Sequence, residues 1–188
     1  MPSVPSSVLA IEQIERWAFQ HGLHYEGGLV NGAVFSADRR YRYLLWRGSS
    51  PFESFAAFAM LNPSTANARI GDPTVARCNA FAAALGQPLL IWNLFALVAT
   101  HPAALGAADD PIGPHNDAVI DLVLPLASLT VAAWGTGGNL HGRAQQVLRR
   151  CATVDAPLHT LKLTKGGEPG HPLYLSSQLR PQPWHYPY

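Results

Sequence analysis

The chain has 188 residues, of which 13% are charged, and its formal net charge at pH 7 is +1. This length predicts a single domain, residues 1–188, with a substantial hydrophobic core. A net charge this close to zero excludes a strong overall field that would attract nucleic acid. No apolar run approaches about 18 residues and the N-terminus lacks a signal-peptide pattern, so we expect a cytoplasmic protein with no membrane partner.

Residues 1–50 predict a helix followed by a β-hairpin. Ser7 is a suitable helix cap, the apolar residues after it recur with helical spacing to about Gln20, and Gly22 is a suitable end. Two short β-like runs, 32–36 and 41–46, predict the hairpin. The segment also holds a basic cluster, suited either to phosphate contacts or to a solvated strand face: Arg39, Arg40, Arg42 and Arg47.

Residues 51–176 alternate between apolar strands and helices. The predicted strands cover 55–61, 88–92, 129–134 and 158–163, and the predicted helices cover 73–85, 115–124 and 142–151. Asp72 and Pro73 open the first of these helices as N-cap and first helical residue. The alternation predicts an α/β fold: a three-layer sandwich around a central, mainly parallel four-stranded sheet. The aromatic, proline-rich tail, residues 177–188, is expected to be irregular.

Each predicted strand of the core ends in a polar or glycine-containing tip. These tips are Asn62, Asn93, Gly135 and the glycine-rich loop before His171. The carboxyl ends of parallel strands share one edge of the sheet, where ligands of α/β proteins bind. We therefore expect the four tips to line one site.

The polar groups of this edge are amides and one imidazole, without a strong nucleophile. Asn62 can orient a water molecule, and Asn93 can pair with the amide-like edge of a pyrimidine through one donor and one acceptor. His171 can donate a hydrogen bond to an oxygen that gains negative charge. Such a set suits a reaction that places a water and stabilises a leaving group, as cleavage of an N-glycosidic bond does.

Other kinds of site have little support in the sequence. The run Gly135-Thr136-Gly137-Gly138 lacks the third glycine of a dinucleotide-binding loop and follows the wrong strand. The chain contains no P-loop and no G-x-S-x-G nucleophile elbow. Its histidines show no metal-ligand spacing, so neither a metal nor another cofactor is expected.

Three of the strand tips resemble motifs of the uracil-DNA glycosylase superfamily. The run Met60-Leu61-Asn62-Pro63-Ser64 is similar to its first motif, G-I-N-P-G or G-Q-D-P-Y, at the Asn-Pro pair. Asn93 stands where that superfamily has a pyrimidine-reading asparagine, and residues 171–176, HPLYLS, match four of the six positions of H-P-S-P-L-S. A closer similarity, through NPSTA, DPT, WNLFAL and GHPLYL, is to a bacterial family of unknown function.

The resemblance implies a monomeric DNA glycosylase that flips an altered pyrimidine out of duplex or single-stranded DNA. It implies Asn62 and His171 as catalytic residues. The substrate-binding residues would be Asn93, Pro63, Ser64 and Phe95. The nucleic-acid contacts would be Gly135, Arg143 and Ser176. The open alternatives are a non-catalytic base- or nucleic-acid-binding module on a degenerate fold, and an enzyme that acts on a small nucleoside or nucleotide.

The sequence departs from the superfamily motifs in ways that bear on rate and specificity. Position 62 is an asparagine rather than the aspartate of the fastest enzymes, and Met60 replaces a glycine. Ser64 stands where the uracil-specific enzymes have a tyrosine that blocks a C5 methyl group, so we expect C5-substituted pyrimidines to fit. No aromatic residue follows closely enough to be an obvious stacking partner, which leaves Phe81, Trp92 and Phe95 as candidates.

Overall fold

The computed structural model describes residues 6–48, 55–101 and 103–186. Its helices are α1 (Ser6–Gln20), α2 (Pro73–Ala83), α3 (Ala103–Ala107), α4 (Asn116–Val123) and α5 (Arg143–Thr153). Its strands are β1 (His24–Gly27), β2 (Asn31–Phe35), β3 (Arg42–Arg47), β4 (Ala56–Met60), β5 (Leu89–Asn93), β6 (Leu129–Ala132), β7 (Leu158–Thr160) and β8 (Gln182–Pro183). Short 3-10 segments occupy Leu124–Leu126, Gly135–Gly142 and Pro172–Tyr174.

All the strands form one mixed sheet with the order β1-β2-β3-β5-β4-β6-β7-β8. The four strands β5, β4, β6 and β7 are mutually parallel. The flanking pairs are antiparallel: β1, β2 and β3 extend the β5 side, and β8 extends the β7 side. The predicted parallel strands are therefore present, at the centre of a larger sheet.

The prediction of a four-stranded sheet with a separate hairpin is corrected by this topology. The hairpin of β2 and β3 is confirmed, but β3 pairs with β5, so the hairpin is part of the sheet. The tail was expected to be irregular, yet β8 pairs with β7; residues 187–188 lie outside the described part of the chain. Both β1 and β8 are too short and too polar to stand out in the hydrophobic pattern.

Helices cover both faces of the sheet and define two core layers. The first core layer contains apolar residues of α1, α4 and α5 together with Ala57, Ala59, Leu90 and Trp92 of the central strands. The second core layer lies under α2 and contains Ala56, Phe58, Met60, Leu89 and Ile91. Alternate residues of β4 and β5 thus point to opposite layers, which explains their continuous apolar sequences. The described ranges hold no helix long and apolar enough to cross a membrane.

Helix boundaries follow local sequence signals where these are strong. Asp72 accepts a hydrogen bond from the Val75 amide at 2.8 Å, so it caps α2 with Pro73 in the first turn. Gly86 follows α2 with a left-handed φ of +68°. Ser7 lies inside α1 rather than before it, and residues 1–5 are outside the described part of the chain.

Candidate active site

A cavity of about 470 Å³ opens at the carboxyl ends of the central parallel strands. Five of the residues selected from the sequence line it: Asn62, Ser64, Asn93, Gly135 and His171. The expected convergence of Asn62, Asn93, Gly135 and His171 is observed, because all four line this one cavity at the carboxyl edge of the parallel strands. Other polar, charged and aromatic residues also line the cavity: Arg42, Asp72, Thr74, Thr100, Trp134, Thr136 and Tyr174.

Asn93 is the most unusual polar residue of the cavity. It is the last residue of β5 and only 1% of its surface is exposed. Neither its side-chain oxygen nor its side-chain nitrogen has a hydrogen-bond partner among the described residues. Leaving a buried donor or acceptor unsatisfied costs about 1–3 kcal/mol. The amide is thus a poor contributor to stability and is free to pair with a ligand that offers one acceptor and one donor.

Asn62 is held by the backbone in a way that leaves its oxygen available. Its Nδ2 atom donates hydrogen bonds to the carbonyl oxygens of Ala99, at 2.8 Å, and of Pro63, at 3.0 Å. An amide nitrogen has two hydrogens, so both are engaged. The side-chain oxygen remains as an acceptor, which suits it to orient a water molecule.

His171 precedes the 3-10 segment Pro172–Tyr174 and is partly buried. Its Nδ1 atom lies 3.4 Å from the Leu173 amide nitrogen and accepts its hydrogen. In the neutral ring the proton is then on Nε2, which can act as a donor. Burial lowers the pKa of His171 below its usual value of 6.5, and the negative charge of Asp72 acts in the opposite direction. At neutral pH the ring is an uncharged hydrogen-bond donor.

Gly135 brings the loop after β6 close to His171. Its φ of +74° is in the left-handed region, which glycine adopts readily. Its amide donates to the Pro169 carbonyl at 2.8 Å, and a Cβ atom at this position would lie 3.6 Å from the Cβ atom of His171. Gly135 therefore forms a wall of the cavity next to the imidazole.

Two charged residues that line the cavity, Arg42 and Asp72, were not predicted from the sequence to belong to the site. Arg42 is buried at the start of β3, whereas the basic cluster was expected to be solvated or to contact phosphates. Asp72 caps α2 with one carboxylate oxygen, and its side chain also lines the cavity. The DPT pattern identified Asp72 as a helix cap, but a capping signal does not reveal what else the carboxylate faces.

Four of the residues predicted to contact substrate or nucleic acid do not line the cavity. Pro63 is buried between the cavity residues Asn62 and Ser64, and Phe95 is fully buried in the first core layer. Ser176 is exposed and accepts a hydrogen bond from the Gln178 amide. Arg143 is buried and is also absent from the cavity wall.

Arg143 has the environment of a structural residue. Its exposed fraction is 1%, its Nε atom donates to the Leu94 carbonyl at 2.8 Å, and its Nη2 atom lies 2.6 Å from the Asp117 carboxylate. Arg150 pairs with the same carboxylate at 2.7 Å. A guanidinium that is buried and bonded in this way cannot reach a phosphate, so the nucleic-acid contact predicted for Arg143 is withdrawn.

The aromatic residues that face the cavity are not those expected. Phe81, Trp92 and Phe95 are all buried in the core and are absent from the cavity wall. Trp134 and Tyr174 line the cavity instead. Tyr174 is 82% exposed and its ring centroid lies 5.5 Å from that of His171. It is placed at the rim, where a flat ligand bound next to His171 would meet it.

The model of one protein family matches residues 42–173; the family is described as "Protein of unknown function (DUF1643)". No curated protein and no solved structure matches the chain. The matched segment begins at Arg42 and ends at Leu173, so it contains every cavity residue named above except Tyr174. The similarity to uracil-DNA glycosylases rests on the sequence motifs alone. Because the family model matches more than half of the chain, the chain belongs to the DUF1643 family.

Proposed function

We propose that this protein is a hydrolase that cleaves the N-glycosidic bond of a modified, C5-substituted pyrimidine in DNA. The observation that carries the proposal is the buried, unpartnered amide of Asn93 in the same cavity as Asn62 and His171. A pyrimidine presents adjacent donor and acceptor groups on its Watson–Crick edge. The Asn93 amide offers the complementary pair.

The departing base needs stabilisation because the bond from C1′ to the base nitrogen breaks with its electrons on the base. Negative charge then develops on the ring and its carbonyl oxygen. The Nε2–H of neutral His171 is a suitable donor to that oxygen, since its Nδ1 is already occupied by the Leu173 amide. One preorganised donor of this kind contributes roughly 10²–10³ in rate.

The attacking water requires an acceptor for orientation and a base for its proton. Asn62 supplies an acceptor oxygen that is fixed by the two backbone bonds of its nitrogen. Asp72 supplies a carboxylate in the same cavity. The water oxygen bonds to C1′ as the bond from C1′ to the base nitrogen breaks, and one water proton passes to Asp72. The departing base takes up a proton from solvent, and Asp72 returns its proton to solvent. The sum is one water consumed, one sugar hydroxyl formed and one free base released.

The aromatic contact is assigned to Tyr174 at the rim of the cavity. Its ring is exposed and tilted by 44° relative to the His171 ring. Stacking of a base on an aromatic side chain is typically worth about 1–3 kcal/mol. Tyr174 thus replaces Phe81, Trp92 and Phe95 as the candidate stacking residue.

A second candidate function is hydrolysis of a free nucleoside or nucleotide, and the distribution of charge favours it. The net charge is +1, and three of the arginines outside the cavity, Arg39, Arg143 and Arg150, are engaged in ion pairs with carboxylates. Duplex DNA is bound mainly by phosphate contacts. A small substrate would need fewer of them.

The test is incubation with single- and double-stranded oligonucleotides that carry uracil, thymine or bulkier 5-substituted pyrimidines, followed by detection of abasic sites. The matched nucleosides and nucleotides are tested by release of free base. We expect base release from at least one C5-substituted substrate. His171→Ala should lower the rate roughly 10²–10³-fold and change DNA binding much less.

His185→Ala is the matched control, because His185 is exposed and outside the cavity. It should retain the wild-type rate. Binding without base release from any substrate would contradict the hydrolase and support a binding module. Equal losses of binding and cleavage in His171→Ala would make His171 a structural residue.

A further inference from the structure

Arg42 is a buried cation whose hydrogen-bonding capacity is largely unused. Only 3% of its surface is exposed, and its Nη1 atom donates to the Ala66 carbonyl at 2.7 Å. Its Nε atom has no hydrogen-bond partner in the described part of the chain. Arg42 also forms no ion pair with any described carboxylate. A guanidinium has five N–H donors, so most of this group is available to a ligand.

A β-bulge turns Arg42 toward the cavity. On β2, Val34 pairs with Leu44 and the next residue, Phe35, pairs with Arg42, so Tyr43 is an extra residue on β3. Tyr43 and Leu44 both pack in the first core layer, which breaks the usual alternation of the strand. Without the extra residue, Arg42 would point to the same layer as Leu44.

The bulge places the Arg42 side chain on the opposite face of the sheet. There it joins Met60, Val75 and Ile91, which belong to the second core layer and line the cavity. Bulges that re-aim a side chain are common next to active sites. Because β3 runs antiparallel to β5, its first residue lies at the edge where the parallel strands end.

The position of Arg42 is costly for the protein alone. Burial lowers the pKa of Arg42 to about 10, while Asp72 raises it and Arg47 lowers it further. Asp72 shares the cavity but does not form an ion pair with Arg42, and one of its oxygens is used by the Val75 amide. A buried charge that is not paired with an opposite charge is unfavourable. An anionic ligand would supply the missing partner.

We propose that Arg42 binds an oxyanion of the ligand, namely a phosphate group attached to the pyrimidine nucleoside. This inference rests on the proposed function, because phosphate is the anionic group that an ordinary nucleotide carries. The planar fork of arginine matches phosphate oxygens in pairs. A cavity of about 470 Å³ falls in the range of sites that enclose a small-molecule ligand. The phosphate comes either from a free mononucleotide or from the flipped nucleotide of a DNA strand.

The test compares pyrimidine nucleosides with their 5′- and 3′-monophosphates by equilibrium binding, which requires no cleavage. The probes are deoxyuridine, thymidine and deoxycytidine and the corresponding nucleotides. Wild-type protein should bind at least one monophosphate roughly 10- to 100-fold more tightly than its nucleoside, as expected for hydrogen bonds to a charged group. Arg42→Gln should abolish this preference, with nucleoside binding unchanged.

Arg47→Gln is the matched control, because Arg47 lies on the same strand but donates to the backbone carbonyls of Trp46, Asn67 and Ile70 rather than lining the cavity. It should keep the preference for the monophosphate. If Arg42→Gln does not fold, Arg42→Lys keeps the charge without the fork and should retain only part of the preference. Equal affinity of wild type for nucleosides and monophosphates would overturn the proposal.

A further arm identifies the source of the phosphate. A short single-stranded oligonucleotide that contains the same pyrimidine is compared with the mononucleotide. Tighter binding of the oligonucleotide, with the same dependence on Arg42, indicates a nucleotide within DNA; tighter binding of the mononucleotide indicates a free nucleotide. Failure of the hydrolase proposal appears as absence of base release. Failure of the Arg42 proposal appears as a wild-type protein without a preference for the monophosphate, or as a preference that Arg42→Gln retains, so the two failures are distinguishable.

Discussion

The Nδ1 atom of His171 accepts a hydrogen bond from the Leu173 amide at 3.4 Å, and this contact determines which ring nitrogen can donate into the cavity. A backbone N–H cannot act as an acceptor, so protonation of Nδ1 would break the bond. Burial adds a second penalty on the charged ring. Both effects favour neutral His171.

The first prediction is therefore that His171 titrates with a midpoint below pH 6.5 in the folded protein. The measurement is an NMR titration of the imidazole signals. Because the unfolded chain binds the proton more readily, the stability contribution of neutral His171 is complete above about pH 6.5 and declines as the pH falls below it. Base release should stay constant from pH 7 to below 6.5. His171→Gln should remove this part of the pH dependence of stability. A titration midpoint above pH 6.5 would contradict the conclusion that the His171 ring is neutral at neutral pH.

The second prediction is that replacing the Asn93 amide by an apolar group keeps or raises the stability of the protein and abolishes pyrimidine binding. Asn93→Leu removes an unpartnered donor and acceptor and replaces them with apolar atoms of similar shape. We expect the free energy of unfolding to stay constant or rise by about 1–3 kcal/mol. Pyrimidine binding should be lost. Thermal unfolding and equilibrium binding are the two measurements.

Asn116→Leu is the control for this substitution. Asn116 is equally buried, but its Nδ2 atom donates to the carbonyl oxygens of Asn93 and Leu94, each at 3.0 Å. Its replacement should destabilise the protein, because two buried carbonyls lose a donor. If Asn93→Leu destabilises the fold as much as Asn116→Leu does, Asn93 has a structural role and is not reserved for a ligand.

The central sheet and the strand tips were predictable because both depend on short-range patterns. Continuous apolar runs followed by polar tips identify buried parallel strands, and topology then places their ends at one edge. Asn62, Asn93, Gly135 and His171 were found in this way. The strands β1 and β8 were missed because their pairing is fixed by tertiary neighbours rather than by their own composition.

The remaining cavity residues depend on long-range geometry. Arg42 faces the cavity only because β3 pairs antiparallel with β5 and carries a bulge at Tyr43, and neither feature has a local sequence signature. Phe95 was predicted to bind substrate and was one of three candidate stacking residues, but the chain after Asn93 turns into the first core layer and buries it. Arg143 was predicted to contact nucleic acid, yet it is buried and bonded to Asp117 and to the Leu94 carbonyl.

The third prediction separates the capping role of Asp72 from its role as a base. Asparagine caps helices about as well as aspartate, so Asp72→Asn should leave the stability of α2 nearly unchanged. It should lower base release roughly 10²–10⁴-fold, the range for loss of a general base. Asp72→Ala should show the same loss of rate and also destabilise the protein by about 1 kcal/mol. Full activity in Asp72→Asn would remove Asp72 from the mechanism.

The last prediction is about the bases that the cavity accepts. Ser64 lines the cavity, and its small side chain leaves room there. If Ser64 occupies the place of the tyrosine in the motif that it resembles, as the proposed function assumes, we expect open space beside C5 of a bound pyrimidine. Ser64→Tyr should fill that space and suppress action on thymine or bulkier C5-substituted bases, while uracil is still processed.

Steric exclusion is the physical reason to expect a large effect. Loss of favourable contact with one methyl-sized group changes discrimination by only about 1–3 kcal/mol, whereas a clash with a packed wall can prevent binding altogether. The measurement is the rate of base release from a uracil-containing substrate divided by the rate from a thymine-containing substrate, compared between the wild type and the Ser64 variants. Ser64→Ala is the control, since it keeps the wall open and should leave the ratio near that of the wild type. If wild-type protein releases uracil and rejects every C5-substituted base, another group occupies the space beside Ser64 and the hypothesis fails.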